Sequence, residues 1–176
     1  MRESEFHGYN GTIWYLLGTL GALHFFPKDV GVVSVLLLSW CDTAASTFGR
    51  LFGHLTPRIR QGKSLAGSSA AATVGAATAA LFWGTIAPRY GAGYDVAENA
   101  FAFQGRLTLP SLVANIMHVP ESYTAISGGA ALVAMSAWSG IVASFSETVD
   151  LFGWDDNFTI PILCGAGLWG FLLVFG

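Results

Sequence analysis

The sequence predicts an all-α protein, a polytopic membrane helix bundle with about five transmembrane helices in one membrane-embedded domain over residues 1–176. Two observations predict this class. Hydrophobic residues make up 53% of the chain and charged residues only 11%, whereas a soluble globular chain carries about 25% charged residues. The charges also fall in clusters, and the stretches between the clusters are long enough to cross a bilayer. These features exclude a soluble domain.

The individual helices follow from the lengths of the apolar stretches. A spanning helix needs about 20 mostly apolar residues, because each residue rises about 1.5 Å through roughly 30 Å of hydrocarbon. Five segments approach or reach that length, at residues 9–26, 30–49, 64–88, 122–146 and 157–176. In the third segment Gly67, Ala71, Gly75 and Ala79 recur every four residues. Such a smooth stripe predicts close helix packing in lipid.

The basic residues predict the orientation of the bundle. The loop between the second and third segments holds four of the chain's eight basic residues, Arg50, Arg58, Arg60 and Lys63. The positive-inside rule places this loop in the cytosol. With five crossings, the N-terminal segment and the acidic loop 147–156 are expected on the same side.

One acidic residue lies inside a predicted span. An ionisable group in a spanning helix is costly, and it is a functional candidate by default. This residue is Asp42, and Thr43 and Ser46 place hydroxyl groups beside it. The alternative is a structural role, in which the carboxylate pairs with an arginine or is kept neutral by hydrogen bonds.

A second set of carboxylates lies in the loop before the fifth segment. Its members are Glu147, Asp150, Asp155 and Asp156. Glu147 and Asp150 are three residues apart, so they share a face if the fourth helix continues that far. An acidic cluster on its own is more often a solvated loop. Here it is expected on the same side as the basic loop, which favours a site between the two.

The two loops together suit a metal–nucleoside triphosphate. Arg50 ends the second segment, while Lys63 and Ser64 open the third, with Ser64 as a good N-cap. Helix N-termini favour anions, carboxylates hold Mg²⁺, and basic side chains neutralise phosphate oxygens. The sequence has no P-loop motif and no kinase-type glycine loop, which excludes a soluble-kinase fold.

Longer motifs then point to a family. The run SWCDTAASTFGR occupies residues 39–50, and it is followed by HLTP at 54–57 and KSLAGS at 63–68. Near the C-terminus, DLFGWDDNFTIP occupies residues 150–161. These runs resemble the CTP-dependent diacylglycerol kinases of the fungal endoplasmic reticulum over nearly the whole chain, apart from residues 90–121. The wider family includes dolichol and phytol kinases and the phosphatidate cytidylyltransferases.

The resemblance implies a reaction and its setting. The expected reaction transfers the γ-phosphoryl group of CTP to the hydroxyl of diacylglycerol, giving phosphatidate and CDP, with Mg²⁺, or Ca²⁺ or Mn²⁺ as a substitute. The expected partners are CTP, diacylglycerol and bilayer lipid, without nucleic acid, and no oligomeric state is implied. The implied location is the endoplasmic reticulum or nuclear membrane, with the site facing the cytosol. Family members have further helices upstream, which leaves open whether such helices are missing from this lipid kinase domain.

Roles for individual residues come from the motifs and the resemblance together. The predicted catalytic residues are Asp42, Asp150, Asp155 and Asp156. The predicted nucleotide-binding residues are Thr43, Ser46, Gly49, Arg50, Lys63, Ser64, Gly67 and Asn157. The predicted metal ligands are Asp42, Glu147, Asp150, Asp155 and Asp156. One of the carboxylates is expected to accept the proton of the lipid hydroxyl, and the sequence does not decide which.

Three other functions compete with this interpretation. A polyprenol or dolichol kinase would keep the same site and change the lipid pocket. A phosphatidate cytidylyltransferase would release pyrophosphate instead of CDP. A small membrane transporter would use Asp42 as an ion or proton site, but the charges gather at one surface rather than near the midplane, which disfavours transport.

Overall fold

The computed structural model describes residues 11–60, 62–90, 101–116, 120, 124–149 and 153–176. Its long helices are α1 (Gly11–Phe25), α2 (Lys28–Phe52), α3 (Leu65–Leu81), α6 (Gly129–Thr148) and α7 (Asp156–Phe175). Two short helices are α4 (Ala87–Tyr90), which continues α3 through a π-helical turn at Phe82–Ile86, and α5 (Ser111–Ile116). Two small antiparallel sheets pair β1 (Arg58–Arg60) with β2 (Lys63–Ser64) and β3 (Arg106–Thr108) with β4 (Ala125–Ser127).

The predicted membrane helix bundle is confirmed. Within the described residues, four helical stretches are long and apolar enough to cross a membrane: Lys28–Leu55, Leu65–Arg89, Gly129–Thr148 and Asp156–Phe175. The predicted number of about five is close to this, because the remaining segment also forms a helix. That helix, α1, has 15 described residues, fewer than the roughly 20 that a full crossing needs.

Small residues bring the helices into close contact. The predicted stripe on α3 is buried at all four of its positions. A Cβ atom added at Gly67 would lie 2.8 Å from the backbone oxygen of Ala45 in α2, and one added at Gly75 would lie 2.9 Å from Cβ of Ala143 in α6. Helix α3 therefore packs between α2 and α6 through its glycines, as expected for helices that associate in lipid.

Helices α1 and α7 run side by side in the same direction. Near the start of α7, the backbone oxygen of Asn157 lies 2.6 Å from a Cβ atom built at Gly18, and further along Ile162 approaches Gly21 in the same way. The N-termini of α1 and α7 therefore lie at one end of the bundle. Lys63 contacts Asp156 at that same end, so the basic loop, the acidic loop and the start of α1 share one side, as predicted.

A buried carboxylate at the opposite end of α2 was not predicted. Asp29 lies one residue before the predicted span 30–49, and the structure buries it completely. Its carboxylate accepts hydrogen bonds from the Trp83 indole and from the backbone N–H groups of Ala102 and Phe103, each at 3.0 Å. These bonds tie the segment that begins at residue 101 to α2 and to the π-helical turn.

Replacement of Asp29 by asparagine tests this link. The amide keeps the shape of the carboxylate but turns one acceptor into a donor, so at least one buried N–H group loses its partner. A loss of this kind costs about 1–3 kcal/mol, and we expect a lower midpoint of thermal unfolding in detergent. Lys28→Gln changes the exposed neighbouring residue and serves as the control. Equal midpoints for the two variants would show that the Asp29 bonds do not support the fold.

Candidate active site

Two cavities that share lining residues lie near the end of α2 and the starts of α3 and α7. The first has a volume of about 390 Å³ and is lined by Asp42, Ala45, Ser46, Gly49, Arg50, Gly62, Lys63, Ser64, Gly67, Ser68 and Glu147. The second has a volume of about 520 Å³ and is lined by Asp42, Arg60, Lys63, Gly153, Trp154, Asp155, Asp156 and Asn157. Asp42 and Lys63 line both cavities. The two motif regions of the sequence, around residues 39–68 and 150–161, therefore meet at the second cavity.

The periodicity of a helix determines which residues of α2 face the cavities. Asp42, Ser46 and Gly49 are spaced by four and three residues, so they share one face of the helix. Thr43 does not line either cavity, and its exposed hydroxyl donates to the backbone oxygen of Ser39 at 2.7 Å. Of the two predicted hydroxyl groups, only that of Ser46 reaches the cavity.

Lys63 forms ion pairs with two carboxylates, those of Glu147 in α6 and Asp156 in α7. Its ammonium group forms ion pairs with Glu147 Oε1 and, at 3.3 Å, with Asp156 Oδ2. Burial lowers the pKa of Lys63, but the hydrogen bond and charge of Glu147, together with the charge of Asp156, outweigh burial and leave the pKa above its usual value. Lys63 is therefore a fixed positive charge between α6 and α7.

Glu147 brings a buried carboxylate to the first cavity. Its side chain is 5% exposed, and its second oxygen, Oε2, is buried without a hydrogen-bond partner in the described part of the chain. A carboxylate oxygen left in this state is costly. A cation bound in the cavity would satisfy it.

The described carboxylates do not form a complete metal site by themselves. Among the described residues, no three His, Cys, Asp or Glu side chains group closely enough to hold a metal ion by themselves. Asp150, one of the predicted ligands, lies outside the described residues. Mg²⁺ commonly binds through one or two carboxylates together with substrate phosphates and water, and Asp42 and Glu147 on one cavity fit that mode. The magnesium site stays a prediction.

Asp155 has a structural role that the motif did not reveal. It is the N-cap of α7, and its Oδ1 accepts a hydrogen bond from the backbone N–H of Asn157 at 2.9 Å. Asp156 and Asn157 follow in the first turn, and all three line the second cavity. The N-terminus of α7 therefore lies at that cavity, and its backbone dipole stabilises the Asp155 carboxylate that caps it.

The start of α3 is capped as predicted. The Ser64 hydroxyl accepts a hydrogen bond from the backbone N–H of Gly67 at 3.3 Å. A second cap was not predicted, in which Thr56 accepts from the backbone N–H of Ala66 at 3.2 Å. Arg50 lines the first cavity while its Nε atom donates to the backbone oxygen of Ser46 at 3.0 Å, so part of its guanidinium group is held by its own helix.

Six residues that line the cavities are not among the predicted site residues: Ala45, Arg60, Gly62, Ser68, Gly153 and Trp154. Ser68 lies one turn after Ser64, a spacing that the sequence could have revealed. Arg60 precedes Lys63 by three positions across the β1–β2 turn, where Gly62 has a φ of +81°. Trp154 stands inside the second motif, but an isolated tryptophan gives no sequence signal of a binding role.

Helices α2 and α3 approach closely at Gly67, on the wall of the first cavity. Gly67→Ala adds a methyl group 2.8 Å from the backbone oxygen of Ala45, so α2 and α3 must separate. We expect a lower midpoint of thermal unfolding and a loss of the predicted phosphoryl-transfer activity. Gly170→Ala in α7 is the matched control, because nothing lies within 4 Å of its added Cβ, and alanine favours a helix by up to about 1 kcal/mol. Equal behaviour of the two variants would exclude the tight crossing.

Comparison with known proteins agrees with the resemblance inferred from the motifs. Over 163 residues, 93% of the chain, it is 50% identical to CTP-dependent diacylglycerol kinase 1 of Eremothecium gossypii. The chain is similar in sequence to these fungal CTP-dependent diacylglycerol kinases over nearly its whole length. The kinases of the same name from Saccharomyces cerevisiae and Schizosaccharomyces pombe are 44% and 36% identical to it over the same length.

These diacylglycerol kinases are longer than the present chain. The matched region covers 44%, 49% and 61% of the Eremothecium, Saccharomyces and Schizosaccharomyces kinases, so the chain spans about half the length of the curated relatives it matches. No protein-family model matches the chain. No solved structure matches it either.

Proposed function

We propose that the protein transfers the γ-phosphoryl group of CTP to the hydroxyl of diacylglycerol, giving phosphatidate and CDP. One observation carries this proposal. In a homologue of diacylglycerol kinases, the two sequence motifs meet at Lys63, which pairs with Glu147 and Asp156 beside a cavity that Asp42 also lines. Carboxylates, fixed positive charge and a helix N-terminus together suit a triphosphate.

Phosphoryl transfer depends mainly on positioning and on neutralising charge. Lys63 and Arg50 line the first cavity, and Arg60 lines the second, so cationic groups surround the place where the triphosphate binds. Asp42 and Glu147, with the predicted ligands Asp150, Asp155 and Asp156, would hold Mg²⁺, or Ca²⁺ or Mn²⁺ in its place. When bound, such an ion neutralises charge on the phosphate oxygens.

The lipid hydroxyl must lose a proton during transfer. Asp42 lines both cavities, so its carboxylate is within reach of a hydroxyl that enters from either of them. We assign it the role of proton acceptor in preference to Asp155, whose carboxylate caps α7. The lipid enters sideways from the bilayer, and CTP enters from the aqueous side.

The aqueous side is assigned to the cytosol, and the membrane to the endoplasmic reticulum or the nuclear envelope. The side of the bundle that carries the cavities has Arg50, Arg58, Arg60 and Lys63, half of the eight basic residues of the chain. The positive-inside rule supports a cytosolic position for such a loop.

The proposed activity is tested with purified protein in detergent and Mg²⁺. The protein is given γ-labelled CTP or γ-labelled ATP together with diacylglycerol, dolichol or phytol. We expect label to move from CTP to diacylglycerol. Movement to dolichol or phytol instead would make the protein a polyprenol-type kinase with the same site. No transfer to any lipid, by protein that remains folded, would contradict a lipid kinase.

A further inference from the structure

An apolar groove follows α1 and α7 on the outside of the bundle. It has a volume of about 680 Å³, and it is lined by Trp14, Leu17, Leu20, Gly21, His24, Phe25, Trp154, Phe158 and Ile162. Gly21 allows the two helices to approach, since a Cβ atom there would lie 2.9 Å from Cδ1 of Ile162. Leu17 and Leu20 are 45% and 66% exposed, so the groove is open along its side.

The groove shares a lining residue with the candidate active site. Trp154 lines both the groove and the second cavity, which also contains Lys63 and Asp156. The ring of Trp154 lies 5.5 Å from that of Phe158, which lies 5.9 Å from that of Trp14. Phe158 therefore contacts both tryptophans, and of these three rings Trp154 is the one that also lines the second cavity.

The length of the groove matches one leaflet of a bilayer. Trp14 and Phe25 lie eleven positions apart on α1, which corresponds to about 16 Å of helix. The hydrocarbon core of a bilayer is about 30 Å thick, so one leaflet is about half of that. A lipid with its polar end at the second cavity and its acyl chain along the groove would therefore extend through about one leaflet.

We infer that the groove between α1 and α7 binds an acyl chain of the lipid substrate, with the glycerol end at Trp154 and its hydroxyl directed toward Asp42 and Lys63. This inference rests on the proposed function, because diacylglycerol is the substrate whose single hydroxyl must reach the cavities. A lipid that slides along the groove reaches them without leaving the membrane. Trp154 then acts as a positioning residue at the junction.

The inference is tested by filling the groove with larger side chains. Leu17→Trp and Leu20→Trp place an indole in it. Leu16→Trp and Leu23→Trp are matched controls, because these leucines lie on the same helix, are 60% and 49% exposed and do not line the groove. In lipid, an acyl chain is held against a protein by packing and not by hydrophobic burial. An indole in the groove removes that packing, so we expect the groove variants to raise the KM for dioleoylglycerol by about three- to tenfold. The KM for CTP is expected to stay unchanged.

Photo-crosslinking separates this inference from the proposed activity. A diacylglycerol with a diazirine in the middle of one acyl chain is irradiated with the wild-type protein and the four variants, and the adducts are located by mass spectrometry. We expect adducts on α1 and α7, lost in Leu17→Trp and Leu20→Trp and kept in the two controls. Adducts elsewhere, or equal adducts in all four variants, would overturn the inference even if the wild type phosphorylates diacylglycerol. An inactive wild type that still gives groove adducts would contradict only the proposed reaction.

Discussion

Lys63→Met is expected to lower the rate of phosphoryl transfer by a factor of about 10²–10³, the usual loss when one group that stabilises transition-state charge is removed. Lys63 is the cation shared by both cavities, and methionine keeps most of its length, one atom shorter, while removing the charge. The measurement is the initial rate of label transfer from γ-labelled CTP to diacylglycerol over a range of CTP concentrations. Arg58→Met is the control, since Arg58 lies on the neighbouring strand and does not line either cavity.

A second variant separates catalysis from stability. Lys63→Met alone leaves Glu147 as a buried carboxylate without its cation, which is destabilising by itself. The double variant Lys63→Met with Glu147→Gln removes both charges, so we expect it to recover much of the lost thermal stability without recovering activity. Recovery of activity in the double variant would show that Lys63 only neutralises Glu147.

Asp42→Asn is also expected to lower the rate of phosphoryl transfer strongly. The expected factor is about 10²–10⁴, the range for loss of a general base. Asparagine keeps the shape of the side chain but cannot accept the proton of the lipid hydroxyl, and it is a poorer ligand for a divalent cation. The same label-transfer assay measures the effect. If Asp42→Asn kept the wild-type rate, Asp42 would have only a structural role.

Two neighbouring variants are matched controls for Asp42. Thr43→Ala changes the adjacent residue, which does not line either cavity, and it is expected to keep nearly full activity. Ser46→Ala changes a residue one turn away on the wall of the first cavity, where the hydroxyl donates to the backbone oxygen of Thr43 at 3.1 Å. Its effect is expected to be smaller than that of Asp42→Asn. A large loss in Thr43→Ala would place the functional face of α2 elsewhere.

The bundle could be predicted from the sequence because membrane helices leave strong local signals. Apolar length gave the helices, the glycine stripe gave the packing face of α3, and Ser64 gave its cap. The alternation of crossings placed Lys63 on the same side as the acidic loop, although Lys63 and Glu147 are 84 residues apart. Each of these predictions depends on helix geometry or on the sidedness of loops.

The remaining features depend on long-range contacts and could not be predicted in this way. Asp29 is buried because Trp83 and the backbone at Ala102 and Phe103 fold over it, and no periodic pattern joins these positions. Asp155 could be a metal ligand or a helix cap in the sequence, and only the exact start of α7 gives it the cap. Thr43 lies next to Asp42 on α2 and faces a different direction, as the geometry of a helix predicts.

The most direct measurement follows the α- and γ-phosphates of CTP in parallel. Purified protein is incubated with diacylglycerol and either α-labelled or γ-labelled CTP, for the wild type and for Lys63→Met. We expect γ-label in phosphatidate and α-label in CDP with the wild type, and both products formed more slowly by the same factor of about 10²–10³ with Lys63→Met. Transfer of the γ-label at the wild-type rate by Lys63→Met would contradict a reaction at this site, and absence of γ-label from the lipid with the wild type would contradict the kinase itself.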